Sequence, residues 1–159
     1  MPDQSGGDQL DAGLQTLRIL AAEDDVSNQL VLETILNSLG LVATIVENGA
    51  EAIAAWETQR FDLILMDIQM PVLDGLDATR EIRRRELKQD LAATPIIALT
   101  ANVMDHQIAE CLKAGMDGHL PKPFEIDKLN LALSIARELS SDLDRPAFDL
   151  PRYQTPAPL

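Results

Sequence analysis

Residues 61–75 read FDLILMDIQMPVLDG, an apolar run that stops on the carboxylate Asp67 and passes through a proline-containing loop to Asp74-Gly75. The run Leu63 to Met66, bounded by turn residues, predicts a short strand covered on both faces, as in a parallel sheet. Asp74-Gly75 marks a turn, and the segment after it, Leu76 to Lys88, predicts a helix. Open α/β sheets are built from such strand-to-helix units, and their ligand crevices lie outside the carboxyl ends of the strands.

The same unit recurs on both sides of this stretch. Further strand-like runs occupy Arg18 to Ala22, Val42 to Val46, Ile96 to Leu99 and a short His119-Leu120. Helices are predicted from about Ser27 to Leu39, after the N-cap Asn48, from Met104 to Ala114, and from Glu125 to Leu139. In the first, Leu30, Val31, Ile35, Leu36 and Leu39 form an apolar stripe, and Gly40 is placed for a left-handed cap. The second carries Ala52, Ile53 and Trp56. Five strands alternating with five helices imply an α/β fold, a parallel sheet covered on both faces.

Composition sets the limits. At 159 residues and 46% hydrophobic, the chain has one domain's worth of core. The lone Cys111 excludes an internal disulfide and fits a reducing compartment, with helix packing as its expected role. No stretch reaches the roughly 18 consecutive apolar residues of a membrane span, and residues 1–16 lack the pattern of a signal peptide, so a cytoplasmic protein is expected. A net charge of -13 disfavours direct nucleic-acid binding. The basic cluster Arg80, Arg83, Arg84, Arg85 and Lys88 reads as the solvated end of a helix, with a docking face for an acidic partner as the alternative. Residues 1–16 read as a flexible leader or a linker and residues 17–139 as the folded domain. Residues 140–159, with Pro146, Pro151, Pro156 and Pro158, read as a disordered Pro-rich tail.

Four fragments at strand ends carry chemistry. Glu23-Asp24-Asp25 places three like charges where the first strand leaves the sheet, and such an all-oxygen cluster suits Mg²⁺. The other role open to Asp24 or Asp25 is capping the first helix. If the first and third strands are neighbours, Asp67 faces these acids and can share the cation. A carboxylate so placed can attack phosphorus and form an acyl phosphate. Thr100 ends the fourth strand and can donate to a phosphoryl oxygen; Lys122 follows the fifth and can pair with its charge.

The motifs EDD, MDIQMPVLDG, ALTA and KPF, in this order and spacing, closely resemble the receiver domain of bacterial two-component response regulators over residues 17 to about 139. The resemblance implies a doubly wound, flavodoxin-like (βα)5 fold with strand order 2-1-3-4-5. It implies Asp67 as phosphoacceptor, with Asp24, Asp25, Asp67 and the backbone carbonyl of Gln69 holding Mg²⁺, for which Mn²⁺ substitutes. Thr100 and Lys122 would contact the phosphoryl group, and the Lys122-Pro123 bond would be cis. The implied donor is the phosphohistidine of a histidine kinase or histidine phosphotransfer protein. A downstream protein, or a phosphorylation-dependent dimer, would read the switch through the fourth helix, fifth strand and fifth helix. His119 departs from the Tyr or Phe that often occupies the switch position, and Gln69 and Asn102 flank the path of attacking water. The Asn28 region, ALTAN and AGMDGHLPKPF resemble the receivers of hybrid histidine kinases, though a stand-alone receiver is the alternative context.

Three rival readings are weaker. A haloacid-dehalogenase-type phosphatase needs an acid two residues after the nucleophile, and this chain has Gln69. A flavodoxin-like cofactor binder needs a Ser/Thr/Gly phosphate loop after the first strand, which here is acidic. A pseudo-receiver scaffold typically lacks acids or the lysine that are all present here.

Overall fold

A computed structural model of the chain describes residues 17–101 and 105–140. The leader expected at 1–16, Asn102, Met104 and the Pro-rich tail after Ser140 lie outside the described residues. The elements, in order, are β1 (Ile19–Ala22), α1 (Val26–Ser38), β2 (Ala43–Val46), α2 (Gly49–Thr58), β3 (Leu63–Asp67), α3 (Gly75–Lys88), β4 (Ile96–Thr100), α4 (Asp105–Ala114), β5 (Gly118–Pro121) and α5 (Ile126–Ser140). The strands form one sheet in the order β2-β1-β3-β4-β5, all pairings parallel. Both the alternation and the strand order agree with the sequence reading. None of the described helices is long and apolar enough to cross a membrane.

Strand alternation divides the core in two. Ile19, Ala21, Leu63, Leu65, Ile97, Leu99 and Leu120 face α1 and α5, meeting Leu32, Leu36, Leu129 and Leu133. Leu20, Ala22, Ile64, Met66, Ile96 and Ala98 face α2, α3 and α4, meeting Ile53, Trp56, Ile82 and Cys111. Each fully buried Leu or Ile stabilises the fold by about 2 kcal/mol, so the central strands β1, β3 and β4 anchor the domain. Burial, reinforced by Glu110, pushes the Cys111 thiol up to about 11, in keeping with a packing role.

Two expectations need correction. The buried side of α1 is Leu32 and Leu36, with Ile35 and Leu39 half-buried; Leu30 and Val31 are exposed, as is Val26. Because α1 is apolar at 26, 30, 31, 32, 35, 36 and 39, periodicity alone left its orientation underdetermined. The basic cluster of α3 is not a uniformly solvated helix end either. Arg83 is inserted between elements: Nε donates to the Gly115 carbonyl at 2.9 Å, and its two terminal nitrogens reach Glu86 at 2.7 Å and Asp117 at 2.9 Å. Both carboxylates are fully buried and also accept backbone N–H groups, from Thr94 and Ile96 respectively. Arg80 pairs with Asp77, Arg84 with Glu81, and Arg85 with Glu81 and Glu57, so neighbouring acids largely neutralise the charge that the alternative reading, a docking face, would use.

Candidate functional site

The strand order reverses between β1 and β3, and the crevice opens at their carboxyl ends. The β1–β2 ladder continues one residue past β1, where the Glu23 N–H donates to the Val46 carbonyl at 3.0 Å. Glu23 thereby keeps the alternation of Ile19 and Ala21, while Asp67 continues that of Leu63 and Leu65, and Lys122 that of Leu120. Three chemically active side chains from β1, β3 and the β5 exit thus share the α1/α5 side of the sheet. They meet in a cavity of about 770 Å³ whose wall includes Glu23, Asp24, Asn28, Asp67, Gln69 and Lys122.

One carboxylate oxygen from each of Glu23, Asp24 and Asp67 lies within 4.8 Å of the other two. Glu23 is fully buried, Asp67 is 5% exposed, and Asp24 is exposed. Lys122 Nζ sits 3.1 Å from Glu23 Oε1 and 3.3 Å from Asp67 Oδ2, and the Gln69 N–H donates to Asp67 Oδ1 at 3.2 Å. One ammonium against three carboxylates leaves excess negative charge in a partly desolvated pocket. That donor set, hard oxygens with charge to spare, fits a small divalent cation such as Mg²⁺.

Asp25 has the other role that the sequence left open. Its side chain accepts the Asn28 N–H at 3.1 Å as the N-cap of α1, and the carboxylate cluster is made by Glu23 rather than Asp25. The cause is local: the chain has turned out of the ladder and into the helix by residue 25, where an Asp satisfies an otherwise unpaired N–H. The sequence placed Glu23 in the acidic cluster, but the ligand set carried over from the resemblance took Asp25 in its stead, although the alternation Ile19, Ala21, Glu23 singles Glu23 out.

Thr100 ends β4, one residue beyond the Asp67–Leu99 register pair. It is 1% exposed, and its hydroxyl has no hydrogen-bond partner among the described residues. A buried, unsatisfied hydroxyl is costly unless a ligand oxygen supplies the missing bond. The Lys122 N–H donates to the Thr100 carbonyl at 2.7 Å, tying the two strand exits together, and the Lys122-Pro123 bond is cis as expected. His119 lies half-buried on β5, where burial and then Lys128 hold its imidazole below the usual value. Asn102 falls outside the described residues.

The loop from Ile68 to Asp74 folds back over the end of β3. The Gly75 N–H donates to the Ile68 carbonyl at 2.8 Å, and a Cβ at Gly75 would collide with the Asp67 carbonyl oxygen. Close approach, not a special φ, requires glycine here. Gly75→Ala is expected to cost about 2 kcal/mol by overpacking and to slow chemistry at Asp67, checked by urea unfolding beside phosphorylation kinetics.

Burial, then the Glu23 carboxylate, push the Asp67 carboxyl from 3.8 up to about 7, against the pull of Lys122. An acid whose folded pKa exceeds its unfolded value binds its proton more tightly when folded. The stabilisation is therefore fully present below about pH 4 and is lost as pH rises through about 7. In EDTA, Asp67 should cost the fold on the order of 2 kcal/mol between pH 5 and 8, about 5 °C in melting temperature. Melts across this range, with and without Mg²⁺, check this: Mg²⁺ should restore the lost stability at pH 8.

Comparison with known proteins gives this geometry its class. The sequence model of the response regulator receiver domain matches residues 19–134. The chain is 38% identical over 130 residues to the sensor protein GacS of Pseudomonas syringae pv. syringae, covering 82% of this chain and 14% of that protein. It is 37% identical over 119 residues to the peroxide stress-activated histidine kinase mak1 of Schizosaccharomyces pombe, covering 73% of this chain and 7% of that protein. The chain thus spans a small fraction of the length of these relatives, and they include a fungal protein as well as a bacterial one. Among solved structures, it matches the receiver domain of a Pseudomonas aeruginosa sensor histidine kinase with a magnesium ion coordinated in the active site cleft. The TM-score is 0.67 at 44% identity, covering 79% of this chain and 98% of that one. It also matches a co-crystal structure of Saccharomyces cerevisiae Ypd1, a histidine phosphotransfer protein, with the receiver domain of Ssk1. There the TM-score is 0.74 at 29% identity, covering 84% of this chain and 97% of that one.

The chain belongs to the response regulator receiver domain family. It is a phosphoacceptor receiver of two-component signalling, of the kind carried by hybrid histidine kinases and phosphorelay proteins.

Proposed function

We propose that Asp67 takes a phosphoryl group from a phosphohistidine, and that the domain itself catalyses the transfer. The observation that carries this reading is the convergence of Glu23, Asp24, Asp67 and Lys122 at the ends of β1, β3 and β5. An ionised Asp67 oxygen forms the new P–O bond as the P–N bond breaks, and the electron pair leaves on the donor imidazole. Glu23, Asp24, Asp67 and the Gln69 carbonyl would hold Mg²⁺, which supplies charge neutralisation between the nucleophile and the incoming phosphoryl oxygens. Lys122 pairs with the transferred charge, and the Thr100 hydroxyl gains its missing partner from a phosphoryl oxygen.

The donor in this reading is a histidine kinase or histidine phosphotransfer protein. Exposed Val26, Leu30 and Val31 on α1, beside the cavity wall at Asn28, offer such a partner apolar contact. Reorganisation of Thr100 would pass through the Lys122–Thr100 backbone bond to β5, altering the surface around His119 that a downstream protein or a second copy would read. The setting would be the cytoplasm, where the nucleotide-dependent kinase donors act.

Intact mass after incubation with acetyl phosphate and Mg²⁺ tests the proposal. One phosphate adduct, labile to hydroxylamine and absent in EDTA, is expected. No adduct from acetyl phosphate or from a phosphorylated phosphotransfer protein would remove the proposal.

A further inference from the structure

Glu23 is held from two directions by α1. Its Oε2 accepts the Asp25 N–H at 3.1 Å and the Asn28 side-chain amide at 3.4 Å, while its backbone carbonyl accepts the Gln29 side-chain amide at 2.6 Å. Oε1 is left facing Lys122 and the cavity. Asn28 and Gln29 are both half-buried. A glutamate at the exit of a strand has three side-chain torsions to order, so a carboxylate aimed at a cation without support loses affinity to its own freedom.

We infer that Asn28 and Gln29 are positioning residues that set the Mg²⁺ affinity of the cluster by holding Glu23, one through its carboxylate and the other through its backbone carbonyl. This rests on the metal reading above. Asn28 fixes which oxygen points into the cavity, and Gln29 fixes where the strand hands the chain to α1. Hydrogen-bond partners of metal-ligating groups commonly carry about 10–100-fold of metal affinity, and the lower end suits a residue acting through one bond.

The test is calorimetric titration of the chain with Mg²⁺ alone, beside urea unfolding in EDTA. Asn28→Ala and Gln29→Ala should each weaken Mg²⁺ binding by about tenfold. Thr34→Ala is the control: Thr34 lies exposed on the same helix and, among the described residues, its hydroxyl bonds only the Leu30 carbonyl, so the Mg²⁺ dissociation constant should not change. Wild-type affinity in both α1 variants would overturn the inference, as would an equal loss in Thr34→Ala, which would mean general loosening of the helix. Absence of Mg²⁺ binding by the wild-type chain would instead overturn the metal reading and this inference with it.

Discussion

Asp67→Asn is expected to reduce phosphoryl uptake to background while leaving the fold intact. The amide nearly matches the carboxylate in shape but lacks an anionic oxygen to form the P–O bond of an acyl phosphate. The variant also removes the buried charge that burial and Glu23 oppose, so in EDTA at pH 8 it should melt higher than the parent. Intact mass with acetyl phosphate and Mg²⁺, run beside melts, reads both effects. Uptake at the parental rate would mean that another residue receives the phosphate. A lowered melting temperature would mean that the Asp67 carboxylate is better satisfied than its burial and neighbours indicate.

The second large effect lies at the opposite end of the sheet. Arg83→Ala is expected to cost about 3–5 kcal/mol, because it strands Glu86 and Asp117, both fully buried, with no cation between them. Against a total stability of about 5–15 kcal/mol, that is a large share. Arg84, exposed and paired among the described residues with Glu81 alone, is the control, and Arg84→Ala should leave urea unfolding unchanged. The network joins α3, the start of β4 and the Gly115–Asp117 turn, whereas Asp67 and Thr100 lie at the far ends of their strands. Below its unfolding temperature, Arg83→Ala should therefore still take up phosphate. Gly115 contributes to the same joint: it sits at φ +111, and a Cβ there would press on the Arg83 side chain.

Much of this protein is local in origin and legible in its sequence. Apolar runs such as Leu63–Met66 and Ile96–Leu99 declare buried strands because both faces of a parallel sheet are covered, and the strand ends follow from where each run meets Asp67 or Thr100. Helix starts were readable for a similar reason, since Asn48 and Asp74 each accept the N–H three residues on. The chemistry at the strand ends was readable once their common position was recognised.

The order of elements, the fold class and the residue types at the crevice are thus written in the chain, because spacing and side-chain chemistry are properties of short segments. Packing between distant segments selects which members of each group are used. It put Glu23 in the acid cluster and Asp25 on the helix cap, turned α1 onto Leu32 and Leu36 and left Leu30 and Val31 exposed, and drew Arg83 from a run of arginines into a buried ion network. Arg83 shows the physical reason most plainly: its partners Gly115 and Asp117 lie 32 and 34 residues away, so its burial is an energy of two distant segments meeting. Neither segment carries that energy alone, and no local pattern records it.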